Sequence, residues 1–382
     1  MKIQQRLWTK TDGWQIYQGP DLNEKANLVL VFGETDQLSK ENYFQEIKNY
    51  YPKAQIISTT TAGEILDTKV LDNTIVATAI EFEKTTIETA TTVVTNMEDS
   101  LAAGEKLAAS LPKPDLVHVL VFSEGINVNG SKLVQGLGSG LPENVAVTGG
   151  LAGDQDKFQK TLVGLNTPAK PNIITVVGLY GTHIKIGYGS FGGWDSFGPE
   201  RLVTKSRNNI LYELDGKSAL SLYKKYLGDK ASELPASGLL FPLMLRKQSQ
   251  AKEGSLVRTI LAVNEADQSM TFAGDIPENT YVRLMKANFQ RIIEGAGGAA
   301  DATHNGFGAS NPEFALLISC VGRKLVLKQR TEEEVERVRE VLGNNPVMSG
   351  FYSYGEICPT APTKKQCELH NQTMTITTLK EI

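Results

Sequence analysis

Apolar residues along this chain gather into short continuous runs, and three of these runs open a shared plan. The first is Asn27-Leu28-Val29-Leu30-Val31-Phe32, followed by an amphipathic stretch carrying Tyr43, Phe44, Ile47, Tyr50 and Tyr51. Ala54-Gln55-Ile56-Ile57-Ser58 comes next, and the unit ends Thr59-Thr60-Thr61-Ala62-Gly63-Glu64. The second runs from Leu116 to Phe122, then Leu133, Val134 and Leu137, then Asn144 to Thr148, and ends Gly149-Gly150-Leu151-Ala152-Gly153-Asp154. The third starts with Phe314 to Cys320, passes through a helical pattern to Pro346-Val347-Met348-Ser349, and ends Gly350-Phe351-Tyr352-Ser353-Tyr354-Gly355-Glu356. Each unit reads as buried strand, helix and buried strand, closed by a turn of glycine plus carboxylate. Runs that are apolar throughout predict strands covered on both faces, and strand–helix–strand predicts a right-handed crossover with parallel strands.

Finer signals fill in the rest. Thr331 and Glu334 predict a capping box, Val335, Val338 and Leu342 an apolar helix face, and Gly343 the helix stop. Further β-rich runs lie at 73–82, 172–188 and 370–379, the last with Thr373, Thr375 and Thr377 in alternation. Between the second and third units, Asp215-Gly216 predicts a helix start, with Ala219, Leu222 and Tyr226 on one face and an end at Gly228. A hairpin is expected from Ser255–Val263 and Ser269–Phe272, a helix from Tyr281 to Glu294, and a glycine-rich loop from Gly295 to Gly308. The expected fold class is α/β: two packed domains of repeated strand–helix–strand units with mixed β-sheets. The boundary is placed at 1–216 and 217–382.

Composition narrows the function classes. A chain of 382 residues with 41% hydrophobic and 21% charged residues can bury a sizeable core. Lys+Arg 39 against Asp+Glu 43 leaves a formal charge of −4, with no basic excess to hold a phosphate backbone, so no nucleic-acid partner is expected. No stretch reaches the roughly 20 apolar residues of a membrane span, and the amino terminus has no secretory pattern. The three cysteines fit no disulfide framework. Together these features predict a cytoplasmic protein.

Glycine is abundant at 35 residues, and the three turns show where it matters. Each offers exposed backbone N–H groups and an acid at a position where glycine lets a ligand approach the main chain closely. The alternative at each turn is an ordinary β-turn with a solvated acid. The candidates are Thr61, Gly63 and Glu64; Gly149, Gly150 and Asp154; and Tyr352, Tyr354 and Glu356. Arg258, within an apolar run, could clamp a carboxylate or pair structurally with an acid. His370, Asn371 and Thr373 belong to a polar cluster that is costly to bury unless it lines a cavity. His118 reads as a core histidine, His183 as a partly exposed strand residue and His304 as a loop residue. Cys358, Cys367 and His370 match no zinc spacing. No nucleophile elbow, phosphate loop or dinucleotide fingerprint is present. No catalytic residue, metal or enzyme activity is therefore expected.

In order and spacing, Ser58 to Ile65, Thr148 to Asp154, and Val203-Thr204 with Leu214-Asp215-Gly216 resemble the FIST sensory domain. Phe272-Ala273-Gly274-Asp275-Ile276-Pro277, Phe351 to Ile357 and His370-Asn371-Gln372-Thr373 resemble its C-terminal half. The resemblance implies a bacterial or archaeal signal-transduction module. Such a module would bind a small polar ligand, an amino acid being one candidate, and act through a signalling protein such as a histidine kinase. It also implies an alternative, a haem-binding nitric-oxide sensor regulating a histidine kinase, with His370 or His183 as axial ligand. Thr59 stands where the family often carries cysteine, so thiol chemistry is not expected at that turn.

Overall fold

A computed structural model describes residues 1–246, 255–307, 311–361 and 364–382. The fold is mixed α/β, with three similar six-stranded sheets and a fourth, inserted one. Each of the three contains one parallel pair, as the repeated units require: Leu28–Gly33 with Gln55–Thr60, Leu116–Ser123 with Ala146–Leu151, and Phe314–Cys320 with Val347–Ser353. An antiparallel strand flanks the first member of each pair: Ile75–Glu81, Ile173–Tyr180 and Met374–Glu381.

The continuous apolar runs divide between the two faces of their sheets. Leu28, Leu30 and Phe32 from the first sheet meet Leu120 and Phe122 from the second and Phe314, Leu316 and Ile318 from the third in one core. At its centre the rings of Phe32, Phe122 and Phe351 lie 4.8 to 6.5 Å apart between centroids. The alternate residues point outward under helices. Val29 and Val31 lie against Tyr43, Phe44 and Ile47 of the helix Glu41–Tyr50. Val119 and Val121 pack with Leu107, Leu133 and Leu137, and Ala315 and Leu317 with Val335 and Val338.

After each repeated unit the chain leaves its own sheet. Glu64–Leu66 pairs with Val347–Ser353 of the third unit, and Gly355–Ala361 pairs with Ala146–Leu151 of the second. Val163–Leu165 returns from the second unit to Gln55–Thr60 of the first. The exchange is therefore cyclic, and the three turns are its crossover points.

The fourth sheet is inserted between Ile184–Phe191 and Phe314–Cys320, two strands of the third sheet. It joins Asp195–Arg207, Ile210–Leu214 and Tyr281–Lys286 with Leu243–Arg246, Leu256–Arg258, Ile260–Asn264 and Ser269–Phe272. Its core includes Val203, Leu211, Phe272 and Leu284, covered by Leu220 and Tyr223 of the helix Ala219–Leu227.

Several local expectations are corrected. Asp215-Gly216 is a hairpin turn with both φ angles positive; the helix starts at Ala219, capped by the Ser218 side chain, and ends at Gly228 as expected. Tyr281–Lys286 is a strand, and the helix runs from Phe289 to Thr303, capped by Asn288. Most of the expected glycine loop is thus helix, while Gly308 lies outside the described residues. Its small residues serve close packing: a Cβ on Gly187 would collide with Thr303 O, and one on Gly189 with Ala299 O. Thr331 and Glu334 form no capping box. Arg330 occupies the cap position, and Glu334 is buried in an ion pair with Arg323, 2.7 Å away. Gly343 does end that helix, at φ +74°.

Candidate functional site

Two of the three acid turns are built alike. Glu64 accepts hydrogen bonds from Thr61 Oγ1 at 2.5 Å and from Thr74 Oγ1 and N at 2.6 and 3.3 Å. Glu356 accepts from Ser353 Oγ at 2.9 Å and from Thr373 Oγ1 and N at 2.9 and 3.2 Å. In each case a hydroxyl three residues earlier and the threonine before the closing strand hold the carboxyl. Both acids are buried. Burial pushes Glu64 up to about 7 and Glu356 up to about 8, against the hydrogen bonds that favour the ionised form.

Asp154 does not repeat this geometry, which corrects the expectation of three equivalent turns. It accepts from the Tyr354 hydroxyl and from the backbone N–H groups of Gln159 and Lys160 at 2.8 and 2.7 Å. The turns do touch: Ala62 N donates to Tyr352 O at 2.8 Å, Gly153 N to Thr60 O at 3.0 Å, and Tyr354 N to Leu151 O at 3.2 Å. Their meeting point is closed by these bonds rather than open to a ligand.

The remaining candidates are also interior. Gly63 (φ +138°) faces Lys324, whose ammonium bonds Ala62 O. Gly149 and Gly150 are strand residues; a Cβ on the first would collide with Val121 O, and one on the second would sit 2.7 Å from Ile318 Cγ2. The Tyr352 hydroxyl donates to Glu334 at 2.6 Å beside Ser319 and Arg323. Arg258 forms no ion pair among the described residues; it donates to the carbonyls of Leu369 and Asp275 at 2.8 and 3.1 Å. His370 lies 3.0 Å from Cys358 O, and burial pushes it down to about 4, so the ring is neutral. Asn371 is fully buried, and neither Nδ2 nor Oδ1 of its carboxamide has a hydrogen-bond partner among the described residues.

Of the candidates, Tyr354 lines a cleft. A cleft of about 230 Å³ lies beyond the carboxyl ends of the second unit's strands, where ligands of such sheets collect. One wall is Ile126, Val128, Asn129 and Leu151 of the second unit; the other is Asn209, Leu261, Phe272, Ala273 and Gly274 of the inserted sheet. Tyr354 stacks on Phe158 with centroids 4.3 Å apart and planes at 18°. Met97, Phe158 and Leu261, which line the cleft, are 47%, 42% and 41% exposed, an apolar convergence that calls for a covering partner. The available sequence signal was a lone apolar residue within a polar run, as at Asp156-Lys157-Phe158-Gln159-Lys160. A wider, more polar depression beside Met1, Glu313 and Lys380 lies at the opposite strand ends, away from the turns.

The histidines do not fit haem. His370 and His118 are buried and bonded to Cys358 O and to Thr148 Oγ1. His183 is exposed just before the strand Ile184–Phe191, and His304 sits 3.7 Å from Asp301. None lines the cleft. Among the described residues, no group of three or more His, Cys, Asp or Glu could hold a metal ion. No helix there is long and apolar enough to cross a membrane.

Sheets of crossover units exchanging strands around one core, with a cleft at the carboxyl ends of the second unit's strands, define a mixed α/β fold. The FIST N domain matches residues 27–217 and the FIST C domain residues 219–359, and the chain belongs to the FIST family of sensory, signalling domains. Comparison with curated proteins gives no match. Among solved structures, a chorismatase is 10% identical, covering 99% of this chain and 98% of its own at a TM-score of 0.35. A cyanuric acid hydrolase from A. caulinodans is 8% identical, covering 94% and 90% at a TM-score of 0.37.

Proposed function

We propose that this protein is a non-enzymatic sensor module that binds a small ligand in the cleft between the inserted sheet and the second unit. The convergence of Met97, Phe158 and Leu261 with the stacked Tyr354 carries this reading. A ligand there touches two bodies of the fold at once, and better contact in one arrangement than in another biases that arrangement. The biased surface then acts on a signalling protein such as a histidine kinase. Glu64 and Glu356 are buried away from the cleft lining and hold the fold rather than touch the ligand, and Asn129 and Asn209 are polar groups at its walls. Haem sensing is not supported by the placement of the histidines.

A thermal-shift screen of amino acids and other small metabolites tests the proposal, using the wild type and Ala273→Trp, which fills the cleft. The expected result is at least one compound that stabilises the wild type and not the variant. Equal stabilisation of both, or none at millimolar concentration, contradicts it.

A further inference from the structure

One buried side chain packs against glycines at and beside the cleft. Leu369 has methyl carbons 2.9, 2.8 and 3.1 Å from the points where Cβ atoms of Gly355, Gly130 and Gly274 would sit. Gly274 lines the cleft and Gly130 follows the cleft residue Asn129. Around the same Gly355 point lie Asn371 Nδ2 at 3.6 Å and Cδ1 of the cleft residue Leu151 at 3.7 Å. Leu369 is thus shared by the cleft-lining Gly274 and by Gly355, whose Cβ point Asn371 also borders. The Asn371 amide N–H groups and carbonyl oxygen are wholly buried without a hydrogen-bond partner among the described residues. Native proteins rarely leave such groups unmatched, and each one calls for an explanation such as strain, a functional role or a bound species. The main chain at Leu369 is pinned by Arg258, which donates to its carbonyl, so the movable part is the isobutyl group.

Resting on the cleft as the ligand site, we propose that its ligand is a planar, largely apolar molecule whose leading edge carries a hydrogen-bond donor beside an acceptor. The edge has the chemistry of an amide or a lactam. It displaces the Leu369 side chain and pairs with the Asn371 carboxamide, which supplies the complementary acceptor and donor. The ring of the ligand lies against Leu151, Phe272 and Tyr354. The orphaned amide then reads ligand identity, because a molecule lacking the paired edge leaves it unsatisfied.

Benzamide is the direct probe and toluene its apolar counterpart, with affinities measured by ligand-observed NMR titration. The full-length wild type is compared with Asn371→Leu, Leu369→Ala and Ala273→Trp. Wild type is expected to prefer benzamide over toluene at least tenfold. Asn371→Leu is expected to abolish that preference while keeping toluene binding, and Leu369→Ala to tighten benzamide. The unliganded Asn371→Leu variant is also expected to melt no lower than wild type, since it removes an unpartnered polar group. Wild type and Asn371→Leu preferring benzamide equally overturns the inference; if Ala273→Trp still abolishes both ligands, the cleft reading survives. A melting temperature lowered by several degrees in Asn371→Leu shows that the amide has interior partners, which also overturns it. Absence of benzamide binding in both wild type and Leu369→Ala removes the amide class, leaving the metabolite screen to judge the cleft itself.

Discussion

Glu64 and Glu356 are acids that burial holds near pH 7 to 8, and that fixes how they act on stability. Each folded-state value exceeds the unfolded value of 4.5, so the folded chain keeps a proton that the unfolded chain releases. Their contribution is fully present below about pH 4.5 and is lost as pH rises through about 7 and 8. By the size of the shifts this is on the order of 3 kcal/mol for Glu64 and 5 kcal/mol for Glu356. Glu356→Gln keeps the shape and removes the ionisation. Relative to wild type in urea unfolding, it is expected to gain stability between pH 5 and pH 9; a difference independent of pH would show that the carboxyl is ionised throughout. At this scale the sequence was partly legible. Glycine followed by an acid marked the crossover points, but the hydroxyl partners Thr74 and Thr373 lie 10 and 17 residues away, beyond any local pattern. Glu334 misled for a related reason: its spacing from Thr331 suits a cap, but its carboxylate neutralises the buried Arg323.

At the scale of elements, the helix Phe289–Thr303 teaches most. Gly295, Gly297 and Gly298 lower its intrinsic propensity, so the sequence reads as a loop. Tertiary approach outweighs propensity, because the strand Ile184–Phe191 lies close enough that Thr303 and Ala299 carbonyls occupy the Cβ positions of Gly187 and Gly189. The obstacle is backbone, which cannot swing aside. Gly187→Leu is therefore expected to cost about 3 kcal/mol or more in urea unfolding, whereas Gly138→Ala, at an exposed helix position with nothing near its Cβ point, costs less than about 1 kcal/mol. Similar costs for the two would contradict close helix–strand packing. The parallel pairs themselves were legible, since buried strands must be apolar on both faces.

For the whole molecule, the three-unit plan was visible in the sequence, but the exchange of strands among units was not. A segment such as Glu64–Leu66 is too short to reveal which sheet it joins, and the pairing is decided by the crossover geometry of all three units together. One consequence is cooperativity. Trp8 belongs to the first sheet, and Trp194 donates to Gln372 O beside the third. Fluorescence of variants retaining only one of these tryptophans is expected to give the same urea midpoint, and separate midpoints would contradict interlocked units. The inserted sheet stands outside the exchange and forms one wall of the cleft, the arrangement a sensor needs to couple ligand to shape. Its contribution to the site was illegible beforehand, because Leu261 and Phe158 are 103 positions apart in the chain and neither sits in a motif. Hydrogen–deuterium exchange, with and without a stabilising compound from the metabolite screen, tests that central claim most directly. Protection is expected at residues 125–129 and 269–274 together, on the two walls of the cleft. Protection confined to the depression near Met1 and Glu313, or absent from the inserted sheet, would contradict it.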